Sequence, residues 1–180
     1  MNTLNEIIQQ RRSIRHYDAS KPVSRETVEQ LLAAAVEAPS WKNKQTSRYH
    51  VVMSADLRNS LRECLAPQNS VSVADAPVLI VTTFVKNIVG FEKTGEPTNE
   101  LQNGWGIYDL GLQSAILLLK ATEMGLGTIV LGLRNADAIR HLLHIPDDEI
   151  IVSVIGVGYT AENSAKPKRK TVADIATFYE

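Results

Sequence analysis

The sequence predicts a three-layer domain of the α/β or α+β class, with buried strands alternating with helices. Three observations carry that prediction. Four apolar runs, at 49–53, 78–85, 128–133 and 150–157, have the length and β-branched content of buried strands. Segments with apolar residues at helical spacing lie between them. The 180 residues are 44% hydrophobic and 22% charged, enough for the core of one domain spanning 1–180.

In chain order, Thr3 with Glu6 reads as a capping box opening a helix that carries Leu4, Ile7 and Ile8 and runs into Arg11-Arg12-Ser13-Ile14-Arg15. Ser24 caps a second helix with Val28, Leu31, Leu32 and Ala35 on one face, limited by Pro39. The first strand follows, then a helix through Leu57, Leu61 and Leu65. Ala76-Pro77 opens the second strand, expected to be buried on both faces. Residues 86–106 hold Gly90, Gly95, Pro97, Gly104 and Gly106 among polar residues, the composition of a long loop or lid. From 107 to 124 the residues are apolar nearly all round, which predicts a helix at the domain centre or in a subunit interface, ended by Gly125-Leu126-Gly127. The third strand, a helix over 136–143 stopped before Pro146, and the fourth strand complete the pattern. The tail, 161–180, carries Lys166, Lys168, Arg169 and Lys170 and then Val172, Ile175, Phe178 and Tyr179. Large apolar side chains at a chain end need a surface to cover, and a partner subunit offers one.

Nineteen Lys and Arg face twenty Asp and Glu, a net charge of -1, which lacks the positive field of nucleic-acid binders. The single cysteine, Cys64, makes neither an intrachain disulfide nor a thiolate-rich metal site, and fits a reducing compartment. Apolar runs such as 115–119 are too short for a bilayer, so a cytoplasmic protein without membrane contact is expected. His141 and His144, with Asp137, read as ordinary residues of a surface helix, and no metal is expected. Gly125-x-Gly127 follows a helix and Gly156-x-Gly158 leads into the tail, so neither has the strand-turn-helix setting of a dinucleotide fingerprint. Hydrolase motifs are absent.

Two constellations carry candidate chemistry. Arg11, Arg12 and Arg15 with Ser13 place forked, permanently charged donors within five residues, as suits a phosphate dianion. Basic residues favoured at a helix C-terminus explain the same run. The cations near Lys168 and Arg169 could meet the first cluster on one anion, or form a solvated tail. The turn from Pro39 through Ser40, Trp41 and Asn43 to Gln45 can offer amides and hydroxyls to a flat heteroaromatic ligand.

In order along the chain, Arg11-Arg12-Ser13-Ile14-Arg15, Ala38-Pro39-Ser40 with Asn43 and Gln45, Tyr108-Asp109-x-Gly111, Gly125-Leu126-Gly127-Thr128 and Gly156-x-Gly158-Tyr159 with the basic tail resemble the nitroreductase family of FMN enzymes. The resemblance implies a three-layer α/β/α fold of the α+β class, with a central, mainly antiparallel sheet, and an intertwined homodimer holding FMN at the interface. It implies that Arg11, Arg12, Ser13, Lys168 and Arg169 hold the FMN phosphate and ribityl chain, with Arg15 near the pyrimidine edge. Pro39, Ser40 and Asn43 of the other subunit would line the isoalloxazine, Gly132 and Leu133 would face its reactive edge, and Asn69 would add a polar contact. The chemistry implied is hydride transfer from NADH or NADPH through flavin N5, with no catalytic side chain, to nitroaromatics, quinones or similar flat acceptors by a ping-pong route. Alternatives in the same setting are a dehalogenase or enone reductase, or an FMN-binding protein without turnover. Two departures stand out: Thr46-Ser47 follows Gln45 where many members have Pro-Trp, and Ser72 stands where some carry a lysine.

Overall fold

The computed structural model describes residues 3–160, 162 and 164–180; Met1 and the first residue of the expected tail, Ala161, lie outside them. Four strands form one sheet in the order β1-β2-β4-β3, antiparallel at every pairing: β1 (Ser47–Val52), β2 (Val78–Val85), β3 (Gly127–Leu131) and β4 (Glu149–Gly158). Among the described residues six α-helices pack around it: α1 (Leu4–Gln10), α2 (Arg25–Ala35), α3 (Ala55–Glu63), α4 (Pro67–Ser72), α5 (Gly104–Glu123) and α6 (Ala136–Leu143). The fold is therefore α+β, in three layers.

Strand periodicity builds the layers. On β2, Leu79 and Val81 point into a cluster with Leu61 of α3, Val73 and Ile139 of α6, while Val78 and Ile80 point into a cluster with Leu31 of α2 and Leu117 of α5. β2 is buried on both faces except at Val85, as its unbroken apolar run predicts. On β4, Ile151 and Val154 share a face although an odd number of steps separates them. The register shift between Thr82 and Thr83 resolves this: Thr82 pairs with Ser153 and Thr83 with Ile151, so Val152 is the extra residue of a bulge.

Helix starts are capped as expected at Thr3 and Ser24, and Ser54 and Asn135 add two caps beyond those expected. Thr3 and Glu6 form the reciprocal box, and Ser24, Ser54 and Asn135 accept from the third amide of α2, α3 and α6. Several boundaries differ from expectation. β3 ends at Leu131, so Gly132 and Leu133 lie beyond the strand. α5 starts at Gly104, three residues early, because Gly106 can lie flat on the buried Phe84 ring. α4 has weak helical periodicity and opens on Pro67, so apolar spacing did not reveal it. α5 is not enclosed all round: Leu110, Leu117 and Ala121 face the core, while Ile107 and Tyr108 are exposed.

Candidate functional site

The basic segment lies along the free edge of β3. α1 closes at Gln10 with Arg11 as its C-cap, and the chain turns extended. Ser13 then bridges Thr128 in parallel, with the Ile14 N–H donating to the Thr128 carbonyl at 2.9 Å. Extended backbone alternates faces, so buried Ile14 plugs inward while Ser13 and Arg15 lie on the other side. Gly127 permits this approach, since a Cβ there would lie 2.6 Å from the Ile14 side chain. Parallel progression carries Arg15 toward the Gly132 end of β3. Arg15 Nη1 donates only a long bond, 3.4 Å, to the Ser13 carbonyl.

Arg12 turns back instead. Its Nη1 donates to the Gln9 and Arg11 carbonyls at 2.7 and 2.8 Å, capping α1, while its Nε is buried with no hydrogen-bond partner. The helix-end reading of the arginine run therefore describes Arg12 in this chain. Arg12 borders a cleft of about 520 Å³ shared with Gln9, Thr122 and Gly127. Lys166 joins it by donating to Gln9 Oε1, whereas Lys168 and Arg169 stay exposed beyond.

At the exit of β3, Gly132 and Leu133 are exposed, and a Cβ on Gly132 would meet nothing within 4 Å. Asn69, on α4, donates to the Leu133 carbonyl at 3.0 Å, and the Ala66 N–H donates to the same oxygen at 3.1 Å. An antiparallel bridge between Leu65 and Arg134 continues this pairing. The unexpected helix α4 thus fixes the strand exit, with a hollow of about 560 Å³ between Cys64 and Gly132.

The Pro39–Gln45 turn is built elsewhere. Lys42, Asn43 and Gln45 take φ of 47°, 54° and 50°, the left-handed region. Ser40 Oγ accepts from the Gln45 N–H at 3.1 Å, and Gln45 Nε2 donates to Asn43 Oδ1 at 3.0 Å. The turn is pinned to α5 by the Trp41 N–H, which donates to Asp109 Oδ2 at 2.9 Å. Burial pushes the Asp109 carboxyl above its ordinary value, and the Trp41 N–H opposes that shift. The rings of Trp41 and Trp105 pack with centroids 4.5 Å apart, and Tyr108 meets Trp105 edge-on at 5.8 Å. Asp109 and Trp105 were absent from the expected site; an acidic residue in an otherwise apolar helix was the available signal.

One chain does not bring all the expected residues together. Arg11 to Arg15 lie where α1 meets the β3 edge, and the cleft bordered by Arg12 reaches Thr122 near the C-terminal end of α5, while Gly132, Leu133 and Asn69 lie at the opposite, exit end of β3. Pro39, Ser40 and Asn43 sit on a turn held at Asp109, thirteen residues before Thr122, about 20 Å along the helix axis.

The fold and this edge define a three-layer α+β protein in which an arginine-rich segment runs from the end of α1 onto the free margin of the sheet. The nitroreductase family profile matches residues 8–159, and the chain belongs to that family. It is 31% identical over 162 residues to a protein of Methanothermobacter thermautotrophicus provisionally named NADH dehydrogenase/NAD(P)H nitroreductase, covering 88% of this chain and 78% of that one. It is 27% identical to the FMN reductase [NAD(P)H] of Bacillus subtilis, covering 94% of this chain and 70% of the relative. A provisionally assigned nitroreductase from Exiguobacterium sibiricum, solved in complex with FMN, superposes with a TM-score of 0.82 at 26% identity, covering 99% of this chain and 98% of that one. Among the described residues no helix is long and apolar enough to cross a membrane, and no group of three His, Cys, Asp or Glu side chains converges as a metal site.

Proposed function

We propose that the chain, as one domain over 1–180, is an FMN-dependent NAD(P)H oxidoreductase acting as a homodimer. The observation that carries this reading is the cationic segment from Arg11 to Arg15, which passes from the end of α1 onto the β3 edge at Thr128. The buried, unpartnered Nε of Arg12 fits an anion in the neighbouring cleft, and the Exiguobacterium relative in complex with FMN supports the identity of the group. When bound, FMN supplies two-electron chemistry, taking hydride at N5 from NADH or NADPH and passing it by a ping-pong route to a nitroaromatic, quinone or similar flat acceptor.

This chain's residues do the rest. Arg11, Arg12 and Ser13, with Lys168 and Arg169 of the tail, hold the phosphate and ribityl chain. Arg15 sets a permanent positive charge at the pyrimidine edge, which raises electron affinity there. Backbone groups of Gly132 and Leu133 face the reactive edge, oriented by Asn69 through the Leu133 carbonyl. Pro39, Ser40 and Asn43 complete the ring's surroundings from the partner subunit. Two copies are invoked because about 20 Å of α5 parts the Arg12 cleft, at Thr122, from the turn held at Asp109 within one chain. Apolar side chains left outside also support pairing: Leu4 and Tyr108 are 65% and 60% exposed, and Phe178 and Tyr179 of the tail 74% and 94%. A cytoplasmic setting suits the free thiol of Cys64.

The visible spectrum of the purified protein, before and after anaerobic NADH or NADPH, tests cofactor and hydride acceptance together. A flavin band bleached by the nicotinamide, with absorbance lost in the double variant Arg11→Ala/Arg15→Ala, is expected. A colourless protein without affinity for added FMN would refute the reading.

A further inference from the structure

The 86–103 excursion is a fixed wall rather than a loose lid. Asn87 and Asn103 close its base reciprocally: the Asn87 N–H donates to Asn103 Oδ1 at 2.8 Å, and Asn103 Nδ2 donates to Asn87 Oδ1 at 2.9 Å. Its tip is a small hairpin, with Phe91 bridging Pro97 and the Glu92 N–H donating to the Glu96 carbonyl at 2.8 Å. Trp105 Nε1 donates to Asn99 Oδ1 at 2.9 Å and holds the hairpin against α5. Gly90, at φ 78°, leaves no room for a Cβ, which would lie 2.3 Å from the Gln102 carbonyl oxygen.

Between this hairpin and the Trp41 turn lies a cavity of about 420 Å³. Its walls are the rings of Trp41 and Phe91, with Ile88 beside them. Around them stand three ammonium groups, Lys42, Lys44 and Lys93, against the carboxylate of Glu92. Lys42 Nζ lies 5.9 Å from the Trp41 ring centroid, so its charge sits over a stacking surface. Aromatic walls take a planar ring, and an excess of cations at the rim selects a negative substituent on it.

We propose that this cavity binds planar aromatic anions, and that it selects acceptors bearing a carboxylate or comparable anionic group. Selection among acceptors rests on the flavin-dependent reductase reading; binding itself does not.

Trp41 and Trp105 are the chain's two tryptophans, so intrinsic fluorescence reports on this corner. The holoprotein is titrated with 4-nitrobenzoate and with neutral 4-nitrobenzamide in the absence of nicotinamide, and quenching gives each affinity. The anion should bind about 5- to 20-fold more tightly, the sum expected of three exposed charges, and the ratio should narrow as ionic strength rises. In the triple variant Lys42→Gln/Lys44→Gln/Lys93→Gln, whose substitutions are all at exposed positions, the ratio should fall toward one. Phe91→Ala should weaken both ligands. Equal affinities in the unaltered protein, a ratio unchanged in the triple variant, or indifference of both ligands to Phe91→Ala would overturn the proposal. Reduction of the two compounds with NADH or NADPH is measured alongside. Turnover of neither defeats the reductase reading, while the quenching ratio still decides the cavity.

Discussion

Asp109 offers the sharpest test of how α5 holds the turn that carries Ser40 and Asn43. Its side chain is 3% exposed and takes the Trp41 N–H at 2.9 Å. Replacing it by alanine leaves that N–H without its acceptor, and a bond to a charged group contributes about 1.5–3 kcal/mol. Local opening of the turn then becomes roughly 10- to 100-fold more frequent, measurable as faster amide exchange at Trp41. Asparagine keeps an acceptor and removes the charge. Because burial raises this carboxyl above its ordinary 3.8, its favourable contribution is complete below that pH and is lost as pH rises through the folded value. Asp109→Asn should therefore be as stable as the unaltered protein at neutral pH, or slightly more so, with the difference vanishing in acid. On the proposed reading, FMN affinity falls in Asp109→Ala and is largely kept in Asp109→Asn. If Trp41 exchanges at the same rate in Asp109→Ala as in the unaltered chain, the anchor has been misread.

Other consequences can be checked by denaturant unfolding. Gly106→Ala would set a Cβ 2.2 Å from the Phe84 ring and should cost about 1–3 kcal/mol, whereas Gly104→Ala, with only an ordinary contact at 3.6 Å, should change stability little. Glu149, 7% exposed, is pushed up by desolvation, but bonds from Thr83 and His50 and the charges of His50 and Arg48 outweigh this and hold it below 4.5. Its contribution is thus present above that pH and fades as pH falls through the folded value, so Glu149→Gln should lose about 1–3 kcal/mol at pH 7 and progressively less in acid. Ending the chain after Lys170 removes Ile175, Phe178 and Tyr179, which are exposed here; if the proposed dimer uses them, sedimentation should then show weaker self-association without loss of the monomer fold.

Much of this was legible in residue patterns, for identifiable reasons. β2 declared itself because a central strand must be apolar on both sides, and the capping residues of α1 and α2 marked their starts because a helix's first amides need acceptors. The arginine run could be seen but not aimed. Arg12 caps a helix while Arg15 passes along β3, and only the pairing of Ser13 with Thr128 separates those fates. Helix α4 stayed hidden because it rests on Pro67 and on hydrogen bonds to Leu133, distant in the chain. The Asp109 anchor likewise joins residues 68 positions apart, beyond the reach of local spacing. Directions of strands came from the family resemblance, since alternation is the same for parallel and antiparallel neighbours.

Helix α5 also works as a ruler. Each residue of an α-helix adds about 1.5 Å of rise and about 100° of rotation. A single inserted or deleted residue between Asp109 and Thr122 would therefore swing one end of the helix out of phase with the other, whatever its chemistry. Substitutions along the outer face can accumulate freely by comparison. In this family, variation in length should be shunted into the 86–103 excursion and the tail, leaving the spacing between those two positions constant.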